Sequence, residues 1–406
     1  MVALPCIHGR GGQKSAASIM ATARAKPAAR RKLPIDVSVT GFLFCTMMMF
    51  IGIAAMNTQA NLLFGVFGLM IGILIISFLI SGVVLKRLKV QRVLPDHLIV
   101  GRPGSLTYEV TNRKRFWPSL AVSVTEIEAV DAFTRPPSAY MLHAANRMTA
   151  SIITEVLPGR RGVVKLDRYQ LSTSFPFGFI KRAVDRREAV SLLVLPAIGT
   201  MRRDLLSRFR SARSSGIKVR PASGGDDEFY GVREYRTGEN PRRIYWKRSA
   251  GAGPMVVREM TRVTPPKVVV LIDTRRRDDK PESMAAVEKA IAVAATLVDA
   301  CMAAGLPVGL AAWSGEWCKL QPELGKRHRL DVLAALAKLP PNDSVSAYQL
   351  LDHARDLIKG ESTAVLVTPY DSASGTMDGP RGGLVVVSAA DDTHFTFPPE
   401  VSFAFP

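Results

Sequence analysis

Residues 37–56 read VSVTGFLFCTMMMFIGIAAM and residues 62–85 read LLFGVFGLMIGILIISFLISGVVL, and neither run contains a charge. A helix needs about 20 apolar residues to cross a hydrocarbon core of about 30 Å. Both runs meet that length, and the second has about four residues to spare, which permits tilt. Uncharged runs of this length are rare in soluble domains, so the pair reads as a transmembrane α-hairpin rather than two buried core helices. Residues 57–61, NTQAN, leave room only for a tight turn, so the helices are expected to be antiparallel neighbours within residues 35–86. Gly41, Gly52, Gly65, Gly68 and Gly72 are expected to give close-packing surfaces for helix association.

Lys and Arg crowd both outer flanks of the hairpin and are absent from its turn. The positive-inside rule then places both flanks, and with them the N- and C-termini, in the cytoplasm of a multi-pass membrane protein with a short extracytoplasmic turn. The first run begins too far from Met1 for a cleaved signal peptide and is expected to be retained. Residues 1–34 are rich in Ala, Gly, Arg and Lys without apolar periodicity and read as a disordered basic tail, in which Met20 offers a second start.

The formal net charge of +19 resembles that of a nucleic-acid binder, but its placement argues otherwise. Up to Arg92 there are eleven basic residues against one acid, Asp36, a net +10 that leaves +9 for the remaining 314 residues. Juxtamembrane cations set orientation and attract anionic headgroups. No nucleic-acid partner is expected, and the bilayer is. Cys6, Cys45, Cys301 and Cys318 show no CxxC spacing and no Cys/His cluster, which argues against structural zinc and against a disulfide framework.

Residues 88–200 change to short alternating runs: 105–110, 121–127, 151–156, 162–166 and 191–195 read as strands, separated by Pro and Gly turns. This predicts an antiparallel β-sandwich-like domain. Within it, Phe175-Pro176-Phe177-Gly178-Phe179 reads as a packed aromatic corner rather than a ligand platform.

Residues 201–261 are expected to link this domain to the next. They contain GDDEFYGVREYRTGENPRRIYWK, from Gly225 to Lys247. Asn240 as N-cap and Pro241 at the first helical position predict a short helix running to about Ala250. Such a helix would set Arg243 with Lys247, and Arg242 with Trp246, on shared faces. One reading is a basic, aromatic-backed surface for an anion or an acidic partner. The other, favoured by the near balance of charges, is an internal ion-pair network. Asp226, Asp227 and Glu228 give neighbouring acids without an identifiable general-acid partner.

This string resembles the signature of the bacterial "domain of unknown function 58" family. The apolar hairpin, Arg160-Arg161-Gly162 leading to Pro176-Phe177-Gly178, and the strand over 268–273 fit the same pattern. The resemblance points to Glu228, Phe229, Arg233, Tyr235, Gly238, Arg242, Arg243, Trp246 and Lys247 as signature or interaction residues. The chain departs from the family at Tyr245, where Asp is usual, and at Gly238-Glu239, where Gly-Asp is usual. The resemblance also implies residence in a bacterial inner membrane and a MoxR-type AAA+ ATPase as partner, in an assembly or chaperone-like role.

Residues 262–406 alternate strands with helices: KVVVLID over 267–273, helices over 282–304, 327–339 and 347–358, and strands over 307–313, 364–368 and 384–388. This predicts a doubly wound α/β domain, which in family terms resembles a von Willebrand factor A-like domain with Asp273 at the end of its first strand. Such domains often bind Mg²⁺ through Asp-x-Ser-x-Ser, because the ion needs oxygen ligands. Here the string is Asp273-Thr274-Arg275-Arg276-Arg277, and the later strand end is Thr368-Pro369-Tyr370-Asp371. Asp273 is therefore expected to mark a degenerate metal position, with no metal and no cofactor. Phosphate-loop, nucleophile-elbow and His-Glu-x-x-His motifs are absent from the sequence. The expected function is a membrane-anchored, non-enzymatic scaffold. The alternatives are a hydrolase or nuclease using the acids near Asp226 or Asp273, and a sensor of anionic lipid or another anion.

Overall fold

The computed structural model describes residues 35–403 apart from 129–130, 203, 206, 208–222, 252, 262–266, 359–361, 371–375 and 378–383. The basic tail over 1–34 lies outside the described residues, as does Asp371. The chain divides into two units: residues up to Ala197 together with Pro398–Ser402, and Ile198–Phe397 together with the last residues from Phe403.

In the first unit, strand β1 (Ile35–Val37) precedes helix α1 (Val39–Thr58), and α2 (Asn61–Val84) follows. The expected first span thus begins two residues late, because Val37 pairs with Ile180 in a strand and Ser38 caps the helix, its side chain accepting the Gly41 amide. Gln59, at φ 51°, turns the chain between the helices. Only 17% of the apolar window of α1 and 11% of that of α2 is buried, so these are not the core helices of a globular fold. Gly52 faces the Phe67 ring, and Gly41 faces the Phe179 carbonyl. A Cβ at Gly65, Gly68 or Gly72 would meet nothing within 4 Å, so within this chain only Gly52 packs one helix on the other, while Gly41 packs on Phe179 outside the helices.

The strands that follow form two sheets. One holds β2 (Leu88–Val93), β4 (Gly104–Asn112) and β7 (Thr149–Val156), with β4 in the middle. The other runs β1, β9 (Ile180–Leu195), β8 (Gly162–Thr173), β5 (Ser119–Glu126), β6 (Ser138–Ala144), with β3 (Leu98–Ile99) pairing parallel to β9 and every other pair antiparallel. The period-2 pattern explains the core: Leu106, Tyr108 and Val110 of β4 and Val122 and Val124 of β5 all point inward. The same alternation carries two charges inside. Arg92 ends the inward series Leu88, Val90, Arg92, and Glu126 ends Val122, Val124, Glu126. They meet across the two sheets in a bidentate pair of 2.9 and 3.0 Å. Tyr108 donates to Glu126 at 3.1 Å, and Arg92 also donates to the Leu166 carbonyl and lies over the Tyr169 ring. Strands β2 and β6 were not anticipated; the first carries Lys89, Gln91 and Arg92 within six residues, which masks its alternation.

In the second unit, β10 (Thr200–Met201) pairs with β19 (Phe395–Thr396). A ribbon of β11 (Ser223–Glu234) and β12 (Val256–Thr261) follows, enclosing the short helix α3 (Trp246–Ser249). The main sheet then contains β13 (Lys267–Ile272), β14 (Val308–Trp313), β15 (Trp317–Glu323), β16 (Ser362–Thr368), β17 (Thr376–Met377) and β18 (Leu384–Ser388), in the order β15-β14-β13-β16-β18-β17. Strands β13, β14, β16 and β18 are parallel, while β15 and β17 are antiparallel. The sheet is therefore mixed rather than uniformly parallel. The tight Ser314–Glu316 turn folds β15 back as a hairpin with β14. Helix α4 (Pro281–Ala303) buries Val287, Ala290, Ile291, Ala294, Leu297 and Val298 at helical spacing. Helices α5 (Lys326–Lys338) and α6 (Ala347–His353) complete the unit; α6 stops five residues short of the expected end.

Candidate functional site

Two places in the second unit gather the candidate residues. The first is the signature segment on the β11–β12 ribbon. Its backbone pairs Phe229 with Met260 and Arg233 with Val257, and Glu228 and Phe229 are placed by backbone pairing alone. Arg233 and Glu239 form an ion pair of 2.7 Å, which holds the Glu239 carboxyl below the usual range. The Tyr235 amide donates to the Met255 carbonyl at 2.7 Å, and its hydroxyl reaches the Glu239 carbonyl. Gly238, at φ 101°, supplies the turn that returns Glu239 toward Arg233. The departure from Asp to Glu at 239 thus leaves a carboxylate in the pair.

The expected continuous helix over 240–250 is not formed. Asn240 does cap, accepting the Arg242 amide at 3.1 Å, but it starts only a 3₁₀ turn over Pro241–Arg243. Ile244 is then pulled into an extended bridge with Val257 and buried, and the Tyr245 amide donates to the Val256 carbonyl. Helix resumes only at Trp246. Burying Ile244 against the ribbon overrides the helical start signal, and the facing of Arg243 with Lys247 and of Arg242 with Trp246 is lost with the helix. The Arg258 guanidinium stacks over the Tyr245 ring at 4.4 Å, a contact that the usual Asp at this position could not make. Arg242, Arg243, Trp246 and Lys247 are exposed, with Trp246 at 63%.

The second place is the carboxyl end of the main sheet. The chain reverses its direction of travel across the sheet between β13 and β16, and in open α/β sheets the crevice at such a point is where ligands bind. Asp273 lies there, its amide donating to the Val367 carbonyl and its carboxylate accepting the Arg275 amide at 2.9 Å. Burial pushes this carboxyl up, against the smaller opposing pull of Arg275. Around it, Asn342 donates to the Thr274 hydroxyl at 3.0 Å, and Arg276 pairs with Asp343 and Asp279. The Ser283 and Tyr370 hydroxyls share a hydrogen bond of 2.6 Å, and both accept the Arg277 amide. The Arg277 guanidinium covers the Tyr370 ring at 4.0 Å.

This arrangement offers the Asp273 carboxylate, two carboxylates already paired with Arg276, hydroxyls already engaged with each other, and three arginines. Divalent cations need several free oxygen ligands, and among the described residues no group of three or more His, Cys, Asp or Glu side chains converges. Sequence reasoning singled out Asp273 but missed Ser283 and Asn342. Only the sheet order brings those two, from α4 and from the loop after α5, to the strand end.

Apart from Glu228 and Phe229, both places fall within one recognised segment. Residues 231–370 match the family described as "Protein of unknown function DUF58". That span begins two residues before Arg233 and ends at Tyr370, so it takes in the signature from Arg233 to Lys247 and the whole strand-end site. No curated protein matches the chain. The segment 231–370 is thus the part of the chain that is similar to the DUF58 family.

Proposed function

We propose that the chain is a multi-pass protein of a bacterial inner membrane that serves as a non-enzymatic scaffold for a MoxR-type AAA+ ATPase. The observation that carries this reading is the exposed basic and aromatic surface of Arg242, Trp246 and Lys247, held on a ribbon by the Arg233–Glu239 pair and the buried Ile244. Arg and Trp are favoured anchors at protein interfaces. The ATPase as partner comes from the family resemblance. The orientation, with both flanks and the soluble mass cytoplasmic, rests on the basic flanks and the uncharged turn. A von Willebrand factor A-like reading of the main sheet is supported by the parallel strands β13, β14, β16 and β18 and by Asp273 at the first strand end. A hydrolase reading gains no support at Asp273, whose sequence neighbours include three arginines.

The test mixes the detergent-solubilised full chain with the MoxR-type ATPase encoded in the same genome and follows co-elution with and without ATP. Stable co-elution, weakened at least tenfold in affinity by Arg242→Glu with Lys247→Glu, is the expected result. No complex, or a complex indifferent to the charge reversal, defeats the proposal.

A further inference from the structure

Residues 113–118, RKRFWP, form the loop between β4 and β5 and enter none of the readings above. Phe116 is 77% exposed and Trp117 58%. Single exposed apolar residues need no explanation, but the position of this pair is fixed by its neighbours. The Lys114 ammonium donates to the carbonyls of Val83 and Val84, at 3.1 and 2.7 Å, and the Ser119 hydroxyl donates to Val84 at 3.0 Å. The Arg113 amide donates to the Arg87 carbonyl. The loop is thereby bound on both sides of its aromatic tip to the C-terminal end of α2. Asn146 donates to the Arg115 carbonyl and brings up the next turn, where Met148 is 61% exposed.

A second aromatic loop holds the other end of the hairpin. Ser38, the cap of α1, donates its amide to the Phe179 carbonyl at 3.0 Å and its hydroxyl to the Gly178 carbonyl. Phe179 stacks on Phe44 of α1 with ring centroids 4.3 Å apart, and Phe177 stacks on Phe179 while remaining half exposed. Arg182 reaches across to α2, its guanidinium 5.8 Å from the Phe78 ring. The start of α1 and the end of α2 lie on one side, because the connection between the helices is only Gln59 and Ala60.

From these contacts we propose that the β-sandwich rests on the bilayer, with Phe116, Trp117 and Phe177 seated in the headgroup interface of the leaflet where the hairpin emerges. This rests on the membrane-anchored reading. A 24-residue helix is about 36 Å long at about 1.5 Å per residue, so α2 spans a core of about 30 Å and ends at headgroup depth. A loop tied to its last carbonyls lies at that depth too. Trp and Phe rings beside Arg and Lys are the side chains that partition there, rings among the upper acyl carbons and cations toward phosphate. Arg113, Arg115 and Arg182 make a bilayer containing anionic lipid the matching surface.

The experiment reconstitutes the full chain in vesicles of phosphatidylcholine and phosphatidylglycerol, with and without bromine near the carbonyl end of the acyl chains. Brominated lipid is expected to quench part of the tryptophan emission, and Trp117→Phe, which leaves Trp246, Trp313 and Trp317, is expected to abolish that part. Trp117→Tyr serves as a second background. In the same vesicles, protection of Cys45 in α1 from a maleimide, compared with the detergent-unfolded chain, reports hairpin insertion. Cys45 protected with Trp117 unquenched overturns the interface proposal alone, and covers the case where a second copy or another protein shields the loop. Cys45 unprotected overturns the anchored reading and this proposal together.

Discussion

The Lys114 ammonium donates to the Val84 carbonyl at 2.7 Å, so a side chain of the sandwich caps the end of the second apolar helix. Helix C-termini leave unsatisfied carbonyls, and a cation placed there also meets the negative end of the helix dipole. Lys114→Met removes one donor from each of the Val83 and Val84 carbonyls, which keep the Lys86 amide and the Ser119 hydroxyl, and should lower unfolding stability by about 1 kcal/mol in detergent. The pH dependence has a definite sign. Burial pulls the ammonium down to about 8, while in the unfolded chain it titrates at about 10.4. Between those values the unfolded state binds more protons, so stability rises with pH across that window. Melting curves from pH 7 to 11 should show this rise in the wild type, and Lys114→Met should lack it.

Arg92 and Glu126 should behave as a coupled pair. Breaking a buried pair leaves an uncompensated charge, so Glu126→Leu should cost about 3–5 kcal/mol. Arg92→Met with Glu126→Leu should cost much less than the two single changes together. A double-mutant cycle by denaturant titration checks this, and additive losses would remove the case for coupling.

Gly41 and Gly68 should respond in opposite directions to the same change. Gly→Ala in a helix interior gains about 1 kcal/mol from backbone entropy. At Gly68 a Cβ meets open space, so Gly68→Ala should be neutral or stabilising. At Gly41 a Cβ would overlap the Phe179 carbonyl oxygen, so Gly41→Ala should lower the melting temperature by displacing the aromatic loop.

Asp273 should be a liability at neutral pH. Burial raises its carboxyl, so on raising pH the unfolded chain loses this proton first. The folded state then binds more protons, and stability falls as pH rises from about 3.9 through the folded value. Asp273→Asn removes that slope and should raise the melting temperature at pH 7. Neither protein should be stabilised by Mg²⁺; a Mg²⁺ shift in the wild type that Asp273→Asn removes would restore a metal site here.

The alternation that ends in Glu126 was visible as a pattern, while the one that ends in Arg92 was masked by Lys89 and Gln91, and nothing in either strand identifies the other as its partner. The helical start at Asn240 was equally legible, because capping is a local interaction, and it did form. Its failure to propagate past Arg243 was not, because the competitor is the burial of Ile244 against Val257, thirteen residues on. Ser283 and Asn342 were invisible as site residues for the same reason: they become neighbours of Tyr370 and Thr274 only through the sheet order.

The sequence alone determined the two apolar helices, their tight connection, the alternating β unit and the strand–helix alternation of the α/β unit. Each of these follows from apolar periodicity and run length over a few to two dozen neighbouring residues. Tertiary structure decided how the hairpin is held. Lys114 reaches Val84, and Phe179 reaches Phe44, across 30 and 135 positions of chain. Contacts of that separation depend on how whole strands register and pack, and residue order carries no local signal for them.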